Sequence, residues 1–323
     1  MLWHALAVVA GSGALMWGAD RFVEGAAALA RRLGVSPLIV GLTVVSFGTS
    51  LPELLITVTA TFMGHPDVAV GNVVGSNVAN ICLILGVASL FRPLMIHSDF
   101  LRREYPVLVA VSVVAWLMAK DGTFSRAEGL MLVFGMVCFL WWMVRSAKEG
   151  KAEELLAQAS RESSPENRAS PSLAKPLVRL GGGLILLTLG SRSLVWGGVG
   201  IARAFGVSEL VIGLTLVAFG TSLPELATSV AGTLKREDDI AVGNVVGSNL
   251  FNTLAILGIP ATLRPLTVSP QVFQRDFPVM LLATFLLWPV CRSWKGRQGR
   301  VNRWEGGALA AGYMVYMFFL FLH

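Results

Sequence analysis

Phe47-Gly48-Thr49-Ser50-Leu51-Pro52-Glu53 recurs without change as Phe219-Gly220-Thr221-Ser222-Leu223-Pro224-Glu225. Each copy lies in the middle of an apolar stretch, 35–61 and 207–233, so each puts proline, glycine and a carboxylate where a membrane-spanning helix would be most apolar. Outward from these heptapeptides, Gly41 to Pro93 aligns with Gly213 to Pro265 at a constant offset of 172, with 30 identities in 53 positions. Repetition at this level governs the whole chain. The match continues to Pro106 and Pro278, to Trp116 and Trp288, and, after a five-residue insertion, to Glu128-Gly129 and Glu305-Gly306.

The 323 residues are 54% hydrophobic and only 14% charged, with a mean hydropathy of +0.67. Soluble proteins carry roughly 25% charged residues, so the bilayer is the solvent. Ten apolar segments approach the ~20 residues a crossing requires: 3–27, 35–61, 68–91, 104–120, 127–145, 176–199, 207–233, 240–263, 277–294 and 304–322. The fold expected is an all-α membrane protein of ten transmembrane helices, built as two five-helix repeats, 1–145 and 176–323. Between them Ser146 to Lys175 holds ten of the 46 charges with Ser163, Ser164, Pro165, Ser170 and Pro171. Such a stretch cannot bury a core and reads as a flexible connector in which Ala152 to Ala159 forms a short surface helix. Met1 to Trp17 has no basic n-region and no small-residue cleavage site before Asp20, so the first segment is expected to remain as a helix.

Five spans per repeat invert the second copy relative to the first. With both termini outside, the cytoplasmic loops carry 19 Lys and Arg and the outer loops five, as the positive-inside rule demands. The formal charge of +6 therefore marks topology and a lipid partner, not nucleic acid. Inverted repeats with interrupted helices characterise secondary transporters. The cysteines, Cys82, Cys138 and Cys291, are scattered in apolar segments and read as packing residues.

Proline removes a backbone donor and glycine eases departure from the helix, so each heptapeptide should be a broken helix with free carbonyls. A carboxylate at mid-membrane is expensive, and no basic residue is expected at the depth of Glu53 and Glu225, which leaves metal cations or protons as partners. The following span of each repeat reads Gly71-Asn72-Val73-Val74-Gly75-Ser76-Asn77-Val78-Ala79-Asn80 and Gly243-Asn244-Val245-Val246-Gly247-Ser248-Asn249-Leu250-Phe251-Asn252. Gly71, Gly75, Gly243 and Gly247 suit close helix packing. Ser76 with Asn80, and Ser248 with Asn252, project neutral oxygens from one helix face. Asn72, Asn77, Asn244 and Asn249 point elsewhere and are read as packing residues. Carboxylates, hydroxyls and amides form a hard-cation set suited to Ca²⁺. His4, His65, His97 and His323 fall at span ends, so a histidine-based metal site or hydrolase has no central residue.

The doubled segments, Gly48 to Glu53 with Gly71 to Asn80 and Gly220 to Glu225 with Gly243 to Asn252, resemble the two α-repeats of the cation/Ca²⁺ exchanger superfamily, in its prokaryotic sodium/calcium branch. The resemblance implies a ten-helix antiporter, not an enzyme, in the cytoplasmic membrane. It needs no cofactor, carries Ca²⁺ and Na⁺, and holds a site between the second, third, seventh and eighth helices. It assigns Glu53 and Glu225 as shared ligands, aided by the carbonyls of Thr49 and Thr221. Ser50, Ser76, Ser222 and Ser248 would complete flanking Na⁺ sites with the backbone at Ser46 and Ala218, and Asn80 and Asn252 would face the centre. Many relatives carry Asp at one of these last two positions. Asn at both points away from K⁺ co-transport, and the acidic motif differs from that of most proton-coupled members.

The charge shared by Glu53 and Glu225 makes occupancy by Ca²⁺ or Na⁺ competitive, and the resemblance implies three Na⁺ per Ca²⁺ and reorientation by sliding of the first and sixth helices. Protons are expected to compete at low pH. A proton- or potassium-coupled exchanger of the same fold, a passive channel and an intramembrane acid–base enzyme are the alternative readings. The last has no nucleophile beside its carboxylates. Asp20 and Glu24 with Arg21, Arg31 and Arg32 read as an interfacial charge cluster, Arg192 as snorkelling outward, and Lys235 to Asp239 as a charged turn.

Overall fold

A computed structural model describes residues 1–64, 66–96, 98–159, 172–207, 218–292 and 299–322. Helix α1 (Leu2–Leu33) stops at Gly34, which adopts φ 64° and returns its N–H to the Ala30 carbonyl, a left-handed ending that glycine reaches without strain. The chain restarts where the Ser36 hydroxyl accepts from the Leu38 N–H at 3.2 Å and Pro37 opens α2 (Pro37–Val40). A π-helical turn, Gly41–Val45, leads into α3 (Ser46–Thr49), and after a break at Ser50 α4 runs Leu51–Phe62. Next come α5 (Pro66–Val78), a second π turn (Ala79–Ile84) and α6 (Leu85–Phe91). Strand β1 (Leu94–Ile96), α7 (Ser98–Met118), β2 (Thr123–Phe124) and α8 (Arg126–Ala159) complete the first half.

The second half repeats this order. It comprises α9 (Ala174–Ala204), α10 (Ala218–Thr221), α11 (Leu223–Leu234), α12 (Asp238–Phe251), a π turn (Asn252–Ile256) and α13 (Gly258–Leu263). Then follow β3 (Leu266–Thr267), α14 (Phe277–Cys291), β4 (Gly299–Val301) and α15 (Arg303–Leu322). Among the described residues five helices are long and apolar enough to cross a membrane, or six if the pair 37–49 and 51–62, bent by 46°, is one span. Of the remaining expected segments, 104–120, 277–294 and 304–322 are largely helical. The first half of 207–233, including the repeat's start at Gly213, lies outside the described residues, as does 160–171 of the connector. The surface helix expected at Ala152 to Ala159 is the end of α8, which runs 34 residues without interruption past the predicted boundary at 145.

The strands pair across the halves: Leu94 with Val301 and Ile96 with Gly299, and Thr123 with Thr267 and Phe124 with Leu266, both antiparallel. Because β1 and β2 bracket α7 while β3 and β4 bracket α14, these pairings make α7 and α14 run in opposite directions. They touch where the Tyr105 hydroxyl donates to the Phe285 carbonyl at 3.5 Å.

Helices α1 and α9 lie antiparallel at backbone contact. A Cβ on Gly18 would sit 2.7 Å from the Leu187 nitrogen, and one on Gly183 2.5 Å from the Phe22 nitrogen. Around this seam Phe22, Val23, Ala26 and Leu187 are buried with Val40 and Val45. Glycine at 243 similarly lets α12 approach the first half, since a Cβ there would be 2.8 Å from the Leu38 carbonyl. Gly71 and Gly75, expected to serve the same purpose, meet no described atom within 4 Å. Cys82 and Cys291 are buried as expected of packing residues, but Cys138 is exposed, because it falls on a face of α8 with no described neighbour to cover it.

The interfacial charge cluster and the charged turn are one structure. Lys235 reaches Asp20 at 3.4 Å and Glu24 at 3.2 Å, and Arg31 reaches Glu237 at 3.2 Å. These exposed pairs contribute little stability. Arg92 has better geometry: it pairs with the buried Asp238, donates to the Thr233 carbonyl at 3.0 Å, and Asp238 also accepts from the Met95 N–H at 3.1 Å. The α11–α12 turn is thereby fastened to β1.

Candidate functional site

Each broken helix delivers its glutamate from the first turn of the helix after the break, with proline at one of the first two positions. Proline has no N–H to lose there, and its ring cannot continue the preceding helix. Backbone bonds crossing the first break run from Ser50 N–H to Ser46 and from Leu54 N–H to Ser50, and across the second from Ser222 to Phe219 and from Leu226 to Ser222. Glu53 and Glu225 each turn their own N–H to their carboxylate. The Glu53 N–H is thus not given to the Thr49 carbonyl one turn earlier, as an unbroken helix would have it.

Glu53 is 2% exposed and Glu225 1%. Glu225 accepts from the Ser50 hydroxyl at 3.0 Å, and Ser50 Oγ lies 3.1 Å from Ser248 Oγ. Thr221 hydrogen-bonds Glu53, while Thr49 lies beside Glu225 and donates its one proton to Asn244 Oδ1 at 3.1 Å. Each half therefore sets a hydroxyl of its break against the other half's carboxylate, Ser50 on Glu225 and Thr221 on Glu53. The two carboxylates are close enough to repel one another, and their described hydrogen-bond partners are hydroxyls and backbone. One oxygen of each, Oε2, is buried without a hydrogen-bond partner. Leaving such an atom unmatched is costly.

Asn80 and Asn252 sit within the first turn of the π-helical stretches, a wider helical geometry common at functional sites. Both are buried, and each also has an unpartnered Oδ1. Ser76 and Ser222 are buried at 7% and 3% exposure. The Ser46 carbonyl accepts from the Ser50 N–H at 3.0 Å, and Thr49 Oγ1 lies 3.3 Å from it. In the second half the Ser222 N–H donates to the Phe219 carbonyl at 3.1 Å.

The asparagines read as packing residues do hold helices together, and they do so against the site itself. Asn244 donates to the Glu225 carbonyl at 3.2 Å and to Ser229 Oγ at 2.9 Å, and accepts from Thr49 Oγ1 at 3.1 Å. Asn249 accepts from Asn80 at 2.9 Å and Asn77 from Asn252 at 3.0 Å. Asn72 donates to Thr57 Oγ1 at 3.1 Å. Thr253, which the sequence did not single out, connects to this group from the π turn. Its only signal was its departure from Ile81 in the other repeat.

Four unmatched oxygens, two of them on carboxyl groups, with no group of three or more His, Cys, Asp or Glu among the described residues, make an amide and carboxyl oxygen set suited to hard cations. Comparison with known proteins leads to the same chemistry. The family model described as sodium/calcium exchanger protein matches residues 3–145 and 175–322. A putative antiporter, CaxA, of Alkalimonas amylolytica is 42% identical over 99% of each chain. The inner membrane protein YrbG of Escherichia coli is 40% identical over 99% of this chain and 98% of its own. Among solved structures, the sodium-calcium exchanger NCX_Mj soaked with zero Na⁺ and Ca²⁺ superposes with a TM-score of 0.84 at 30% identity, covering 99% of each chain. With two buried carboxylates carried by doubled broken helices and a family match over nearly its whole length, the chain is a multi-pass membrane protein that belongs to the sodium/calcium exchanger family.

Proposed function

We propose that this protein exchanges Na⁺ for Ca²⁺ by alternating access through one central site, with Glu53 and Glu225 as the shared ligands. The observation that carries the reading is the set of four buried oxygens without partners, on Glu53, Glu225, Asn80 and Asn252. Two carboxylates supply a charge of −2, which a single Ca²⁺ cancels, or two Na⁺ with a third held by neutral oxygens. The two loads compete for the same charge. A site with neither holds two like charges in a low-dielectric interior, so reorientation is favoured only when it is loaded.

Ser50 and Ser248 on one side, and Ser76 and Ser222 on the other, complete flanking Na⁺ positions with the carbonyls of Thr49 and Thr221. Ser46 and Ala218 contribute their main-chain carbonyls to these positions. Three Na⁺ per Ca²⁺ would move one net charge per cycle, worth about 2.3 kcal/mol per 100 mV. Asn at both 80 and 252 favours a potassium-independent cycle.

The architecture of this reading is ten spans in two inverted halves. Supporting it are the opposed directions of α7 and α14, the exchanged strand pairs and the excess of basic residues on one set of loops. The α1–α9 pair, in contact along its glycines, is the unit that slides against the rest. Both termini lie outside an inner membrane and the 146–175 connector lies inside. Measuring ⁴⁵Ca²⁺ uptake into proteoliposomes with Na⁺, K⁺ and pH gradients imposed one at a time tests the coupling. Uptake driven by internal Na⁺ alone is the expected result; uptake driven only by a proton gradient would retain the site and discard sodium as the counter-ion.

A further inference from the structure

Thr253 begins a chain of hydrogen bonds whose polarity is forced. The Asn249 main-chain carbonyl can only accept, so the Thr253 hydroxyl gives its single proton there, at 2.9 Å. Thr253 Oγ1 then accepts from Asn77 Nδ2, also at 2.9 Å. This turns Asn77 Oδ1 toward Asn252, whose Nδ2 donates to it at 3.0 Å. Asn252 is left presenting its oxygen, buried and unpartnered. A second branch starts from another obligate acceptor. Asn249 Nδ2 donates to the Asn77 main-chain carbonyl at 3.4 Å, so Asn249 Oδ1 is the atom that accepts from Asn80 Nδ2 at 2.9 Å. Asn80 is likewise left presenting its oxygen.

A side-chain amide occupies the same volume when its oxygen and nitrogen exchange places, so shape alone does not choose between a cation ligand and a cation-repelling NH₂. We propose that Asn77, Asn249 and Thr253 are positioning residues that lock the amides of Asn80 and Asn252 with oxygen toward the transported cation. The proposal rests on the cation site of Glu53 and Glu225. It accounts for the one polar departure from the repeat in this turn: position 253 is Thr where its counterpart is Ile81, because only the Asn252 branch starts from a side-chain hydroxyl. A carboxylate at 80 or 252 would offer oxygen in either orientation and would make the relay unnecessary.

The test is equilibrium ⁴⁵Ca²⁺ binding to the purified full chain in detergent, for wild type, Glu53→Gln, Thr253→Ser, Thr253→Val, Asn252→Asp and the Thr253→Val/Asn252→Asp double variant. Thr253→Val is expected to weaken binding about tenfold, comparable to losing one charge-assisted contact, and Thr253→Ser by less than about twofold. In the Asn252→Asp background the Thr253→Val loss should shrink below about twofold, the non-additivity expected of an orientation effect. If Thr253→Val does not purify as a monodisperse protein, Asn249→Leu replaces it, with recovery by Asn80→Asp. Unchanged binding in Thr253→Val, or a loss that persists in full beside Asn252→Asp, would overturn the positioning role. If Glu53→Gln bound Ca²⁺ as wild type does, the cation site itself would fail and the positioning role with it.

Discussion

Gly181, Gly182 and Gly183 are consecutive in α9, and the structure assigns alanine opposite effects within this triplet. At 181 and 182 an added Cβ meets nothing within 4 Å, whereas at 183 it would lie 2.5 Å from the Phe22 nitrogen and 2.8 Å from the Gly18 carbonyl oxygen. Those are backbone atoms of α1, and no rotamer change removes them. An ordinary contact needs about 3.5 Å, so the two helices must separate by about 1 Å. Gly181→Ala and Gly182→Ala should gain up to about 1 kcal/mol from helix propensity. Gly183→Ala shares that gain but pays overpacking of about 1–3 kcal/mol, and more if contacts along the whole α1–α9 seam are lost. Thermal unfolding of the purified variants in one detergent provides the assay. Gly183→Ala should melt below wild type and Gly182→Ala at or above it. Equal melting temperatures for the two would mean that α1 and α9 are not in backbone contact, and the reasoning for a rigid paired unit would be wrong.

Asn244→Leu removes three buried hydrogen bonds, to the Glu225 carbonyl, Ser229 and Thr49. At roughly 1 kcal/mol each it should destabilise the protein by about 2–4 kcal/mol, measured by thermal unfolding, and weaken Ca²⁺ binding; unchanged stability would contradict the contacts. Calcium uptake should fall from about pH 8 to about pH 5, because a proton on either Glu53 or Glu225 removes half the charge that holds Ca²⁺. Uptake into vesicles that stayed flat across that range would count against a site built on these two carboxylates.

Much of the site was legible because it is written twice. Pro52 and Pro224 fixed where the helices break, and among the described residues no ion pair joins Glu53 or Glu225 to a basic side chain. What the sequence hid was the second rank of polar contacts. Asn77 and Asn249 were read apart from Asn80 and Asn252 although residues three apart neighbour one another on a helix, and each amide is held by an asparagine of the opposite half, a pairing that spacing within one repeat does not reveal. Thr253 belongs to no repeated motif, and only its departure from Ile81 marked it. The pairing of Lys235 with Glu24, 211 residues away, needed three dimensions, as did Arg92 with Asp238.

The central claim is that two carboxylates form one shared site. Its most direct test is ⁴⁵Ca²⁺ uptake by Na⁺-loaded proteoliposomes containing wild type, Glu53→Gln or Glu225→Gln, with K⁺ and pH gradients held at zero. The account predicts Na⁺-dependent uptake in wild type and its loss in both variants, since either change leaves a single negative charge for a divalent ion. Na⁺-driven uptake that survived in either variant at the wild-type rate would contradict it.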